Sequence, residues 1–132
     1  MIFVDASALV SMLTDELEGD ALADKLDASP PAITSAVAVY EAVAALVRKR
    51  AYSVAEARRI VDEFIALTDL GIVPIGEPEM RVAVEAFENF GKGRHPARLN
   101  MGDCFAYACA KTHAAAMLFK GDDFDRTDIP IA

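Results

Sequence analysis

Hydrophobic positions along this chain change period from one stretch to the next, and the changes mark out elements. "MIFVD" at the start is a short apolar run ended by an acid, and Ile, Phe and Val together suit a strand buried on both faces. A helix is expected from about Ser7 to Asp15, and "EGDALADKLDA" reads as a second. "PPAITS" supplies a breaker, a short strand and a cap. "AVAVYEAVAALVRKR" is apolar nearly all round until its basic end, the pattern of a mostly buried helix whose cations suit the helix dipole. "SVAEARRIVDEFIALTDLG" is amphipathic: Ser53 is placed to cap it, Glu56 to complete a capping box and Gly71 to close it, with Ile60, Phe64 and Leu67 on one face. "IVPI" is another short strand. "EPEMRVAVEAFENFG" starts with Pro78 in its first turn and stops before Gly91. A "KGRHPARLN" loop, a "MGDCFAYACAKTHAA" helix in which Gly102 is expected to turn the chain, and an "AMLFKG" strand complete the pattern.

Strands thus alternate with helices. The simplest packing is an α/β fold with a mostly parallel central sheet and helices on both faces. The 132 residues favour one domain, 1–132, with no repeat and no linker.

Composition narrows the class. Hydrophobic residues make up 54% of the chain, so it is globular, and no apolar run approaches the roughly 20 residues of a membrane helix. The start lacks a basic segment and carries an acid at position 5, which argues against a signal peptide and for a cytoplasmic protein. Cys104 and Cys109, five residues apart on one helix, point about 140° from each other and cannot pair; free buried thiols fit a reducing compartment. The two histidines, His95 and His113, lack zinc-site spacing. A net charge of −8 argues against broad nonspecific binding to nucleic acid. The local exceptions are Arg48, Lys49 and Arg50, read as helix-end charge, and "GKGRHPAR", Gly91 to Arg98.

The acids carry the chemistry. In open α/β sheets, sites form at the carboxyl ends of strands. Asp5 ends the first strand, Asp122 and Asp123 follow the last, and Asp103 starts the helix that feeds it. Each also has a plain structural role open to it: Asp5 as a cap, Asp103 paired with Asn100 in a capping box, Asp122 or Asp123 as turn residues. Glu41 has none, since it stands in a helix among Val37, Ala38, Ala44 and Ala45, where an unpaired carboxylate is costly. Carboxylates converging on one sheet edge, without enough His or Cys for zinc, suit Mg²⁺ or Mn²⁺ and hence a metal-dependent phosphodiesterase or nuclease.

These residues resemble a known family. "MIFVDASAL", "YEAV", "GKGRHPARLNMGDCFAYACAK" and "LFKGDDFDRTDI", in this order and at this spacing, resemble the PIN-domain ribonucleases, specifically VapC-type toxins of bacterial toxin–antitoxin pairs. The resemblance spans essentially the whole length with no departure at the acidic positions. It implies a four-acid site of Asp5, Glu41, Asp103 and Asp123, with Asp122 as the less favoured alternative to Asp123. These would be both metal ligands and catalytic groups, holding Mg²⁺ or Mn²⁺ to activate water. Ser7 and Asn100 would orient the carboxylates.

Lys92, Arg94, His95 and Arg98 are candidates for contacting RNA phosphates; a proton-transfer role for His95 is not required by a metal site. The resemblance further implies endoribonuclease action on RNA, often structured RNA such as tRNA, a homodimer through helical faces, and a cognate VapB-like antitoxin in the active-site groove. Three other readings stand against this one, the first a PIN nuclease that acts in RNA processing outside any toxin pair. A phosphoryl-handling α/β protein of the receiver or Asp-nucleophile phosphatase type fits poorly, because the first strand ends in one acid and Ser7 stands where such a phosphatase has a second Asp. A catalytically silent module would keep the fold for protein contacts alone.

Overall fold

The computed structural model describes residues 1–132, the whole chain. Ten elements follow in order: β1 (Ile2–Val4), α1 (Ala6–Leu13), α2 (Gly19–Ala28), β2 (Ala32–Ser35), α3 (Ala36–Arg50), α4 (Val54–Leu67), β3 (Gly71–Val73), α5 (Glu77–Phe90), α6 (Met101–Thr112) and β4 (Ala116–Leu118). The strands form one fully parallel sheet in the order β3-β2-β1-β4. Ile2 pairs with Ala32 on one side of β1 and with Ala116 on the other, and Ile33 pairs with Gly71 across β2.

Side-chain alternation along these short strands builds two cores. Phe3, Ile33 and Met117 face α5 and α6, where Ala83, Ala86, Tyr107 and Cys109 meet them. Ile2, Val4 and Leu118 face the other way, onto Leu9, Leu22, Leu46 and Val61 from α1 to α4. Both faces of the sheet are therefore covered, as all-parallel sheets require. The chain steps outward from β1 to β3 with its helices on one face. It then returns through α5 and α6 on the other face to place β4 beside β1. The switch point of the topology lies between β1 and β4, where ligand crevices of such sheets open.

Local chemistry sets most element ends. Ser35 caps α3 by accepting from the Ala38 N–H at 3.2 Å, and Ser53 caps α4 by accepting from the Glu56 N–H at 3.1 Å. The Glu56 side chain does not reach back, so the capping box expected there is only half formed. Replacing Ser53 with Ala is expected to lower stability by about 1 kcal/mol, read as a shift of the urea midpoint at constant slope.

The structure corrects the sequence reading at several places. Gly71 does not close α4 but sits in β3; the helix ends at Thr68, whose hydroxyl bonds back to the Phe64 carbonyl at 2.7 Å, and Asp69 takes the left-handed turn at φ 51°. Leu67 is 87% exposed and does not share the packed face of Ile60 and Phe64. The α3 helix is not mostly buried. Ala38, Ala42, Ala45 and Leu46 enter the core, while Tyr40 stands in the open and its flank forms an apolar groove against α4. Small residues on the buried stripe and larger ones outside invert the usual pattern, which apolar periodicity does not reveal. No helix is long and apolar enough to cross a membrane.

Candidate active site

Three strand ends and one helix start meet at the switch point. Asp5 is the residue after β1; its N–H donates to the Leu118 carbonyl at 3.0 Å, tying it to the end of β4. It is the N-cap of α1, and its Oδ2 accepts from the Ser7 N–H at 3.0 Å and the Ser7 hydroxyl at 2.6 Å. The Ser7 oxygen accepts in turn from the Lys120 N–H at 3.0 Å. A bond running from the segment after β4, through Ser7, thus fixes one oxygen of Asp5.

Glu41 stands in the second turn of α3, which follows directly from β2. It reaches across to the first turn of α6. A Cβ built on Gly102 would lie 2.4 and 2.6 Å from the two Glu41 carboxylate oxygens, so the carboxylate rests in the space that the missing side chain leaves. Gly102 therefore does not turn the chain; it lies inside α6, and its smallness makes room for an acid. No capping signal announces that role. It depends on a contact between residues 61 positions apart.

Asp103 is the third residue of α6. A helix feeding a parallel strand runs antiparallel to it, so the start of α6 lies at the carboxyl edge of β4. Its Oδ2 accepts from the Asn100 N–H at 3.1 Å, while its own N–H donates to Asn100 Oδ1 at 2.9 Å. The structural role open to Asp103 is thus filled. It uses one oxygen and aims the carboxyl group at the same crevice, so capping and site geometry are served together. Asn100 is the cap of α6 and lines the cleft beside Asp103.

Electrostatics join these groups. Burial pushes the Glu41 carboxyl up to about 7, with the charges of Asp5 and Asp103 adding to it. Burial pushes Asp103 up to about 6, partly offset by the Asn100 N–H and reinforced by Asp5 and Asp123. Asp5 is raised chiefly by burial, against the pull of its Ser7 hydrogen bonds, with Asp123 a further cause. Asp123 is raised by burial and by Asp122 and lowered by Arg98. Asp123 thus acts on both Asp5 and Asp103, whereas Asp122 acts only on Asp123. The four acids share one field without being drawn into a closed coordination group, as expected for like charges.

The pH consequence can be signed. Below about pH 4.5 Glu41 is protonated folded or unfolded, and costs nothing. As pH rises toward 7 the unfolded chain gives up the proton first, so folded stability falls across that window and the full cost remains above it. In EDTA at pH 7.5, Glu41→Gln is expected to raise stability by roughly 1–2 kcal/mol, after discounting for partial exposure. At pH 4 the two proteins should melt alike.

A cleft of about 460 Å³ opens beside the acids, lined by Asp103, Asp122, Asp123, Asn100, Lys92, Arg98 and Arg126. Two of the four basic-loop candidates are therefore here. The other two are not: Arg94 lies over the Phe87 ring at 5.0 Å, and His95 is a loop staple, its Nδ1 accepting from the Ala97 N–H at 3.0 Å and its ring set edge-on to Phe90. Arg126 is not legible as a site residue in the sequence, because the tail fold that returns it to the cleft leaves no local signal. A second cleft, of about 380 Å³, takes Glu41 and Ser7 as part of its wall, with Arg48, Lys49 and Lys120.

This arrangement has relatives. A model of the PIN domain matches residues 2–130. A VapC ribonuclease of Rhizobium meliloti is 38% identical, over 98% of this chain and 99% of its own length. Ribonuclease VapC42 of Mycobacterium tuberculosis is 35% identical, over 97% of this chain and 96% of its own. Among solved structures, Mycobacterium tuberculosis VapC20, described as a Sarcin-Ricin loop cleaving toxin, superposes with a TM-score of 0.75 at 19% identity, covering 100% of this chain and 98% of that one. A toxin–antitoxin complex from Klebsiella pneumoniae gives 0.73 at 16%, covering 100% and 97%. The sheet order, the carboxyl-edge site and a match over nearly every residue place the chain in the PIN-domain family, among the VapC ribonucleases.

Proposed function

We infer that the chain is the toxin of a toxin–antitoxin pair, an endoribonuclease whose Asp5, Glu41, Asp103 and Asp123 hold Mg²⁺ or Mn²⁺. The observation that carries this reading is the convergence of four acids from four chain segments at the switch point. All four are raised by burial, and Asp5, Glu41 and Asp103 also by charges within the set. An all-oxygen donor set with two carboxyls lifted to about 6 and 7 favours a hard divalent cation, which would relieve the repulsion. When bound, such a cation supplies charge neutralisation at a phosphodiester and a nucleophilic water.

The chain's own residues do the rest. Ser7 keeps one Asp5 oxygen engaged. Asn100 does the same for Asp103. Arg98, close enough to Asp123 to lower it, is positioned to take a phosphate oxygen, and Lys92 and Arg126 extend the cationic wall. Asp122 lines the cleft beside Asp123.

The relatives named as ribonucleases favour RNA as substrate, structured RNA such as tRNA included, and the solved toxin–antitoxin complex favours a VapB-like antitoxin as partner. The same reading takes residues 1–132 as one domain that pairs as a homodimer. Purified protein freed of its partner should cut total cellular RNA into discrete fragments with Mg²⁺ or Mn²⁺ and leave it whole in EDTA. Intact RNA in both conditions, with the protein folded, would favour a catalytically silent module.

A further inference from the structure

Arg48, Lys49 and Arg50 end α3, where cations suit the helix dipole, and nothing in their spacing asks for more. Their surroundings do. The Lys49 ammonium lies 3.3 Å from the Glu16 carboxylate, and the Lys120 ammonium pairs with the same carboxylate and stands 3.7 Å from Glu18. Arg50 donates to the Thr14 carbonyl and holds the turn after α1 in place. Glu16, half-buried, thus gathers two lysines from segments 71 positions apart. Both lysines, with Arg48, line the second cleft, whose wall includes Glu41 and Ser7.

The acids are therefore flanked by two sets of cations. Lys92, Arg98 and Arg126 belong to the cleft of Asp103 and Asp123; Arg48, Lys49 and Lys120 belong to the cleft of Glu41. These six make up nearly half of the 13 Lys and Arg residues in a chain of net charge −8. Such concentration is not what a uniformly solvated acidic surface produces. A polynucleotide cut in its interior must lie on both sides of the bond that breaks, and needs cations on both.

We propose that the Arg48–Lys49–Lys120 cleft is a second phosphate-binding site, which takes the RNA strand on the far side of the acids from the Lys92–Arg98–Arg126 cleft. Glu16 sets its strength: it preorganises Lys49 and Lys120 while competing with the incoming phosphate for them. The substrate class is single-stranded RNA, or a loop of structured RNA, long enough to cross the acids. This rests on the ribonuclease reading and specifies how that site receives its substrate.

The test is equilibrium binding of a fluorescein-labelled, mixed-sequence single-stranded RNA of about 20 nucleotides, followed by anisotropy across salt concentrations. Asp103→Asn protein is used throughout so that the probe stays intact. Adding Lys49→Ala and Lys120→Ala together should weaken binding about tenfold. It should also flatten the slope of log K against log salt by about 1.4, at ~0.7 for each phosphate no longer neutralised. Both lysines as Arg should restore it. Glu16→Gln should tighten binding about threefold, since a competing carboxylate is gone. The Lys120 backbone N–H that holds Ser7 survives each substitution. Unchanged affinity and slope in the lysine pair, with Lys92→Ala and Arg98→Ala still weakening binding, would overturn the second site and leave the ribonuclease reading standing. No binding of RNA by the Asp103→Asn parent would overturn both.

Discussion

Asp103→Asn is expected to lower the rate of RNA cleavage in Mg²⁺ by about 10³-fold while leaving the fold intact. The amide keeps a side-chain oxygen for the Asn100 N–H, and the Asp103 N–H bond to Asn100 Oδ1 does not involve the Asp103 side chain at all, so the start of α6 is preserved. What is removed is one negative charge among four that share a field. Removing it relieves repulsion, so the melting temperature in EDTA should stay level or rise even as cleavage collapses. That opposite movement separates a site residue from a structural cap. Loss of both stability and cleavage would mean that Asp103 serves the helix alone.

Gly102→Ala should cost about 10²-fold in cleavage, a large penalty for one methyl group. The new Cβ would fall 2.4 Å from a Glu41 oxygen and 2.7 Å from its carboxyl carbon, well inside contact distance. Something must move, and the flexible end of Glu41 moves more easily than two packed helices. The backbone at Gly102 is ordinary helix, so alanine adds no strain there and, by propensity, favours the helix by roughly 0.5–1 kcal/mol. The variant should therefore melt as high as the parent or higher, with its fourth acid displaced. In a Glu41→Gln background the same alanine should cost little further activity, because its effect passes through Glu41. Equal losses from Gly102→Ala in both backgrounds would show that glycine serves helix packing instead.

The contrast between those two positions shows what a single chain reveals of itself. Asp103 is legible because its signals are local: Asn100 three residues before, an apolar run after, a strand beyond. Asp5 and the alternation of Ile2, Phe3 and Val4 are legible for the same reason, and so is the parallel sheet. Resemblance alone prefers Asp123 over Asp122; the field of Asp123 on Asp5 and Asp103 favours the same choice. Gly102, Arg126, Lys49 and Lys120 take their roles from partners far along the chain. Local rules assign them to a turn, to nothing, or to helix-end charge. His95 shows the opposite case: a basic residue in a basic loop reads as a phosphate ligand, and in the fold its Nδ1 and ring also hold the loop together. Gly71 and Leu67 mislead because a helix can end on Thr68 and Asp69 without glycine, ahead of the strongest stop signal.

The measurement that tests the central claim most directly is calorimetric titration of Mn²⁺ into chelator-treated protein at pH 7.5, for the parent and for Asp103→Asn. The four-acid reading predicts saturable binding by the parent, accompanied by release of a fraction of a proton, chiefly from Glu41, whose carboxyl is pushed up to about 7. It predicts at least about tenfold weaker binding by the variant. No heat of binding in the parent, or equal affinity in both proteins, would contradict it.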